Sequence, residues 1–507
     1  MANHLFDLIR SRIPGPERRF VETGDGSVVT YAEMERQSAR YADALKRLGV
    51  EPGDRVAVQV EKSTAVLFLY LGCVRAGAVF LPLNTAYTPA ELEYFLGDAE
   101  PRVFVCDPGR KAALQPIAAA TGVAHVMTLG PDGRGTMADA AEGASDAFSD
   151  VARGPDDLAA ILYTSGTTGR SKGAMLTHEN LASNALTLVD YWGFTSDDVL
   201  IHALPVFHTH GLFVATNTLL LAGGAMLFLP KFDPDQVLAL LPRATSMMGV
   251  PTFYVRLLQH TGLTKEATKG MRLFVSGSAP LLAETHREWQ ARTGHAILER
   301  YGMTETNMNT SNPYDGERVA GTVGLPLPGV ELRVAEPETG KLLGPEEIGV
   351  IEVKGPNVFK GYWRMPDKTA QEFRADGFFI TGDLGKVDGR GYVHIVGRGK
   401  DLIITGGYNV YPKEVETEID AIPGVVESAV IGVPHPDFGE GVAAVCVADP
   451  KHPPSEAGIL AALEGRLARF KQPKHVIIVP ELPRNTMGKV QKNVLRDTYA
   501  GLFAKKS

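Results

Sequence analysis

Short apolar runs alternate along most of this chain with longer stretches whose apolar residues recur every three or four positions. RVAVQV, AVFLPL, RVFVCD, AAILYTS, AMLFLP and RLFVSGS read as buried strands. TYAEMERQSARYADALKRLG and HENLASNALTLVDYW read as helices. The alternation predicts an α/β architecture in which sheets are flanked by helices. The most apolar stretch, AVLFLYLGCVRAGAVFLPL, is interrupted by Arg75 and by glycine. A membrane span needs roughly 20 uninterrupted apolar residues, so this stretch is expected to be a buried helix feeding a strand. The small, polar segment AAEGASDAFSDVARGPDD reads as a surface connection.

After about residue 325 the pattern changes to short strands separated by glycine-rich turns, VELRVAE, IGVIEVKG, FFITGDLGKV and GYVHIVGR. The turn DGRG suits a hairpin. GRGKDLI at 397–403 then opens a last unit that mixes one clear helix, YPKEVETEIDAI, with the strands VVESAVIGV, GVAAVCVA and HVIIVP. The expected division is a large domain over 1–399 and a small α+β domain over 400–507, with the boundary at Lys400.

Composition narrows the function. The net charge of -8 over 507 residues argues against a general binder of nucleic acid or anionic membrane. Cys73, Cys106 and Cys446 are far apart and make no metal-ligand spacing. Three thiols without a disulfide pattern, and no cationic-then-apolar leader, lead to the expectation of a cytoplasmic protein.

The densest candidate chemistry is YTSGTTGRSKG at 163–173. It is expected to lie between the strand LAAILYT and the helix THENLASNALTLV. Bare amides at glycine, with the hydroxyls of Thr164, Ser165, Thr167 and Thr168, are what a phosphate cradle requires. Walker spacing fails, because Lys172 is followed by glycine and Gly169 lies three positions before it.

This string and seven others in order resemble the adenylate-forming superfamily of acyl-CoA synthetases, luciferases and peptide-synthetase adenylation domains. They are YGMTET (301–306), GTVGLPLPG (321–329), GYWRMP (361–366), TGDLG (381–385), GRGKDLI (397–403), GGYNVYPKEVE (406–416) and PRNTMGKV (483–490). The resemblance covers nearly the whole chain. It implies a ligase that joins a carboxylic acid to ATP, releases pyrophosphate, and passes the acyl group to the thiol of CoA. It further implies an ATP site at Thr164, Ser165, Gly166, Thr167, Thr168, Gly169, Lys172, Ser278, Ala279, Pro280, Glu299, Arg300, Tyr301, Thr304, Asp383 and Arg398. Glu305 corresponds to a Mg2+ ligand, Lys489 to the catalytic cation, and Lys400 to a hinge. His208, Gly406, Gly407 and Tyr408 correspond to the thiol channel. Lys489 also matches a lysine acetylated in relatives, which implies an acetyltransferase and a deacetylase as partners; acetylation would remove the charge.

The acid is expected to be malonate. FHTHGLF carries no aspartate for an α-amino group, and the helix PTFYVRLLQH places an arginine where a long-chain tunnel would run. An inward Arg256 would pair with a second carboxylate, with His208, Thr209, Ser278 and Met303 lining the rest. The pattern is similar to malonyl-CoA synthetases, and methylmalonate is expected as a poorer substrate. Another short-chain or aromatic acyl-CoA synthetase, or a stand-alone adenylation enzyme loading a carrier protein, stays open at this point.

Overall fold

A computed structural model describes residues 3–164, 171–406, 408–464, 466–485 and 488–504. The chain divides into two compact units. One comprises Met1–Glu331 and Val353–Phe379, the other Leu332–Glu352 and Ile380–Ser507.

The larger unit is built on two sheets, of nine and of seven strands among the described residues. In the first, Ala225–Phe228, Val199–His202, Ser246–Gly249, Leu273–Ser276 and Leu298–Met303 run parallel, and Asn307–Ser311 turns back antiparallel. Their apolar runs are buried on both faces, as expected of a parallel sheet under helices. Trp289, on the helix Ala283–Thr293, packs edge-on against Tyr254 and Phe274 at 5.0 and 4.9 Å. In the second sheet, Arg55–Gln59, Val79–Pro82 and Val103–Cys106 are parallel neighbours. The apolar stretch that could be mistaken for a span is the helix Thr64–Ala76 leading to the strand Val79–Pro82. Its Arg75 is tied to Asp150 at 2.6 Å. Among the described residues no helix is long and apolar enough to cross a membrane.

One expectation needs correcting. The glycine-rich string does not run from strand into helix. Lys172–Thr177 is a second strand, antiparallel to Leu158–Thr164, with Thr164 opposite Lys172 and Tyr163 opposite Gly173. The helix begins only at His178, behind a capping box of Thr177 and Asn180. The described residues on either side of the string are therefore two antiparallel strands, and the helix N-terminus comes only after the second of them.

The smaller unit contains a four-stranded sheet, Glu331–Ala335, Gly349–Lys354, Phe379–Val387 and Val393–Arg398. The DGRG turn closes the last two strands, with Val387 opposite Val393. A five-stranded sheet follows, in which Val425–His435 pairs along its whole length with Gly439–Ala448. The helix Pro412–Asp420 buries Val415 and Ile419 with Val430, Val442, Ile459 and Leu463. Compactness thus groups most of the four-stranded sheet, but not Val353–Phe379, with the last hundred or so residues. A hinge at Lys400 concerns motion rather than packing and is taken up under function. Cys73, Cys106 and Cys446 are all buried, unpaired thiols.

Candidate active site

Five side chains of the larger unit, Lys172, Lys368, Glu372, Tyr362 and Glu305, meet beside the strand pair. Lys172 donates to Glu372 Oε1 at 2.9 Å, and its ammonium lies 4.1 Å from the centre of the Tyr362 ring. Lys368 reaches the same Glu372 oxygen at 2.9 Å. The Tyr362 hydroxyl is 2.9 Å from Glu372 Oε2 and 3.0 Å from Glu305 Oε1. Two local features hold this arrangement. Tyr362 sits in the short strand Gly361–Tyr362, which pairs with Lys172–Thr177 opposite Ala174. Glu305 sits in a turn that joins two antiparallel strands, with Met303 opposite Asn307. That turn is tight: Asn307 has φ +51°, and a Cβ on Gly302 would lie 1.8 Å from the Asn307 carbonyl oxygen. Glu305 is consequently buried although it belongs to a turn. Thr164 reaches its Oε1 at 3.5 Å.

Among the described residues no three His, Cys, Asp or Glu side chains gather into a metal cage. One carboxylate nevertheless fits Mg2+, which keeps waters and leans on substrate phosphates rather than on an all-protein shell. Ser165, Gly166, Thr167, Thr168 and Gly169, expected as phosphate donors, lie outside the described residues, as does Gly407.

The SGSAP turn forms a second cluster in the same unit. Ser278 adopts φ +71°, a left-handed conformation that costs a non-glycine residue about 1 kcal/mol or more. Its hydroxyl lies 3.2 Å from His210 Nδ1. Behind the turn, Arg300 is 3% exposed, and its Nε and Nη2 have no partner. A Cβ on Gly277 would lie 2.4 Å from the Arg300 Cζ, so glycine is required for the guanidinium to pack there. Burial pushes Arg300 down to about 9, with a small opposing influence from Tyr254. His210 Nε2 and Thr209 Oγ1 are also buried without partners. Burial holds the His210 imidazole neutral, and Arg300, His208 and His202 add to that effect. Glu299, next to Arg300, accepts from the Leu281 amide at 3.1 Å. Ala279, Tyr301, Met303 and Thr304 are partly exposed, and Pro280 is exposed.

Arg256 does not point inward. On the helix Pro251–Leu258 the buried face is Tyr254, Leu257 and Leu258, positions i, i+3 and i+4. Arg256 falls off that face and is exposed, its guanidinium 5.1 Å from the Phe232 ring centre. Within the SGSAP cluster the buried cation is Arg300, a residue expected among the nucleotide contacts. His208, partly exposed, accepts from the His210 amide at 3.3 Å.

The smaller unit collects charges of both signs. Asp383 is 2.6 Å from Arg398 Nε across the strand pair that carries both. Asp401 holds Arg496 at 2.8 Å. Lys489 follows Gly488, whose φ is +72°, and its backbone is closed on Asn485 at 2.9 and 3.0 Å. The Lys489 residue keeps solvent-accessible surface. Its ammonium is still lowered from the usual lysine value by crowding protein, with Arg398 and Lys400 lowering it further and Asp383 and Asp401 opposing. Asp383, Arg398, Lys400 and Lys489 are therefore within electrostatic reach of one another. Burial likewise lowers Lys400. Tyr408 is 60% exposed and stacks on Phe470 at 4.8 Å, and Gly406 beside it is exposed.

Hydroxyls, a lysine and a buried carboxylate at a hairpin, with mobile-stemmed cations in a second unit, suit a reaction between anions. Residues 14–363 match the AMP-binding enzyme family, and residues 414–489 match the C-terminal domain of AMP-binding enzymes. A feruloyl-CoA synthase from an Amycolatopsis species is 39% identical over 94% of both chains. A malonate–CoA ligase from Arabidopsis thaliana is 36% identical over 88% of this chain and 78% of its own. The crystal structure of ATP-bound MatB from Rhodopseudomonas palustris is 67% identical and superposes with a TM-score of 0.97, covering 99% of this chain and 100% of that one. From its hairpin loop to its last strands this sequence follows one family, and the chain belongs to the AMP-binding enzymes as an adenylate-forming acid–CoA ligase acting on ATP and CoA.

Proposed function

We propose that the acid is malonate and that the product is malonyl-CoA. One observation supports this above the others: Arg300 is a buried guanidinium whose Nε and Nη2 have no hydrogen-bond partner among the described residues. Leaving a buried charge unpaired costs about 3–5 kcal/mol. A substrate that carries a second carboxylate removes that cost on binding, through a charge-assisted hydrogen bond. Thr209 Oγ1 and the neutral His210 Nε2, both buried without partners, can take part in the same contact. A monocarboxylic acid such as acetate, or an aromatic acid such as ferulate, brings no second charge. The relatives' names divide between malonate and feruloyl, so the arginine is what favours the dicarboxylate.

In the first half-reaction one malonate carboxylate attacks the α-phosphorus of ATP, and the bond to pyrophosphate breaks. No base is needed, because the acid is ionised near neutral pH. The obstacle is repulsion between anions, so the chain supplies cations and dipoles. Lys489 brings a compact ammonium to the α-phosphate and the acyl carboxylate. Lys172 and the residues of the hairpin string hold the outer phosphates, Tyr301 and the SGSAP turn take the adenine, and Asp383 with Arg398 takes the ribose. Glu305 would hold Mg2+, which when bound neutralises phosphate charge. In the second half-reaction the CoA sulfur attacks the acyl carbonyl and AMP leaves. Lys400 acts as the hinge that withdraws Lys489 between the two steps, and His208, Gly406, Gly407 and Tyr408 line the path of the thiol.

The test is a panel of malonate, methylmalonate, acetate and ferulate with the purified enzyme, following AMP release. Malonate is expected to exceed acetate and ferulate by roughly 10²–10³ in kcat/KM. Methylmalonate is expected within about tenfold of malonate. Ferulate turning over faster than malonate overturns the proposal.

A further inference from the structure

Lys62 is 7% exposed, and its Nζ meets two atoms of one residue, His202 Nδ1 at 2.9 Å and the His202 carbonyl oxygen at 2.7 Å. The same Nζ lies 4.1 Å from the centre of the Phe228 ring. His202, 1% exposed, ends the strand Val199–His202, and its Nε2 is 2.8 Å from the Gly211 carbonyl oxygen. These contacts fix the tautomer. A carbonyl oxygen only accepts, so Nε2 carries the hydrogen. Nδ1 then offers a lone pair, and Lys62 donates to it. Burial lowers the Lys62 ammonium well below the usual lysine value. Charged or neutral, Lys62 has the two hydrogens that these bonds use. Burial also holds His202 neutral, and Lys62 adds to that effect.

Gly211 is where the chain returns after leaving that strand. A Cβ on Gly211 would lie 2.0 Å from the Pro205 carbonyl oxygen, so the two ends of the excursion touch. The π-helical segment His210–Thr216 continues from there, and its Thr216 hydroxyl donates to the same Gly211 carbonyl at 2.9 Å. His202 thus closes the base of the loop 203–210, which carries His208, Thr209 and His210. We propose that Lys62 and His202 are positioning residues that set this loop against the acid and the thiol. Lys62 orients the imidazole, and the imidazole anchors Gly211. Gly211 in turn fixes where Thr209 and His210 stand toward the acid and where His208 stands toward the thiol. The pair acts by holding geometry, and no proton is transferred. The inference deepens the functional reading above and rests on its assignment of this loop.

The test compares Lys62→Met, His202→Gln and His202→Asn with the parent. A glutamine amide nitrogen can stand where Nε2 stands and donate to Gly211, whereas an asparagine amide reaches only the Nδ1 position. Acid-dependent pyrophosphate exchange is measured with whichever acid of the panel the parent uses best, and ATP affinity by calorimetry without acid. His202→Asn and Lys62→Met are expected to lose about 10–100-fold in acid kcat/KM, with ATP affinity within about threefold of the parent. His202→Gln is expected to stay within about fivefold of the parent on both measures. NMR of the ligand-free protein, with isotope-labelled histidine nitrogens, is expected to show the His202 hydrogen on Nε2. A hydrogen on Nδ1, equal losses in the glutamine and asparagine variants, or a parallel loss of ATP affinity each overturn the proposal. Lys62→Met leaves every histidine in place and keeps the test alive if the His202 variants fold poorly. An acid kcat/KM within about twofold of the parent in that variant overturns the proposal as well. A parent that prefers another acid to malonate defeats the malonate reading alone, because the positioning pair is then judged on that acid.

Discussion

The SGSAP cluster of the larger unit and the charged cluster of the smaller unit carry their functional charge in opposite ways. In the larger unit Arg300 Nε and Nη2, Thr209 Oγ1 and His210 Nε2 are buried without hydrogen-bond partners among the described residues, and Ser278 is held at a positive φ to shape the turn. In the smaller unit the charges neutralise one another, as in the pairs Asp383–Arg398 and Asp401–Arg496. The first arrangement is a preformed socket that pays in folding stability for affinity toward a defined anion. The second is a set of exchangeable partners, suited to a cation that must arrive and leave. A selectivity device and a transient catalyst thus look physically different before any ligand is considered.

The contrast can be broken at its catalytic end first. Lys489→Ala is expected to lower malonate-dependent pyrophosphate exchange by roughly 10³-fold, since one preorganised charge at the reacting phosphate contributes several kcal/mol. Thioester formation from supplied malonyl-adenylate should survive in the same variant. Equal loss of both half-reactions would mean that Lys489 is not confined to the first.

At the socket, Arg300→Met is expected to cut malonate kcat/KM by about 10²–10³ while raising the stability of the ligand-free enzyme by roughly 1–3 kcal/mol. Urea unfolding and steady-state kinetics on the same preparation check both signs. A variant that loses both activity and stability would show that Arg300 is a structural residue.

Arg256→Ala should have a smaller effect, about tenfold or less on malonate kcat/KM, because an exposed guanidinium is screened by water. A loss larger than that of Arg300→Met would return the selectivity to Arg256.

The smallest effect concerns pH in the mobile-charge unit. Burial raises Asp420 to about 7, with Glu416 and Glu427 raising it further and Lys413 and its hydrogen bond to Ser428 opposing. A carboxyl whose folded value lies above its unfolded one stabilises fully below the unfolded value, and that contribution is lost as pH rises through about 7. Asp420→Asn should therefore raise the unfolding midpoint at pH 8 relative to the parent and give no such gain at pH 4. Identical midpoint differences at both pH values would refute the shift.

Much of this was legible in the sequence, and the misses have physical reasons. The apolar runs of the central strands and the motif order both lead to the fold found here. The strand Lys172–Thr177 was hidden because KGAMLT runs directly into helix-forming residues, although the small Gly173 opposite Tyr163 was a hairpin signal. The outward side of Arg256 could have been read from Tyr254, Leu257 and Leu258. Arg300 could not, because its strand Leu298–Met303 lies inside a sheet where alternation no longer separates a wet face from a dry one. The contacts of Tyr362 carry no sequence signal, since a strand of two residues has no periodicity to read.

The buried cysteines take on a meaning in this setting. An enzyme of this kind generates a mixed anhydride, an acylating agent aimed at sulfur. Its own three sulfurs are sealed in the core, where burial keeps them protonated, Cys106 pushed up to about 11 and Cys446 to about 12. Only thiolates attack such anhydrides readily. The protein is thus chemically deaf to its own intermediate, and the incoming cosubstrate meets no internal competitor.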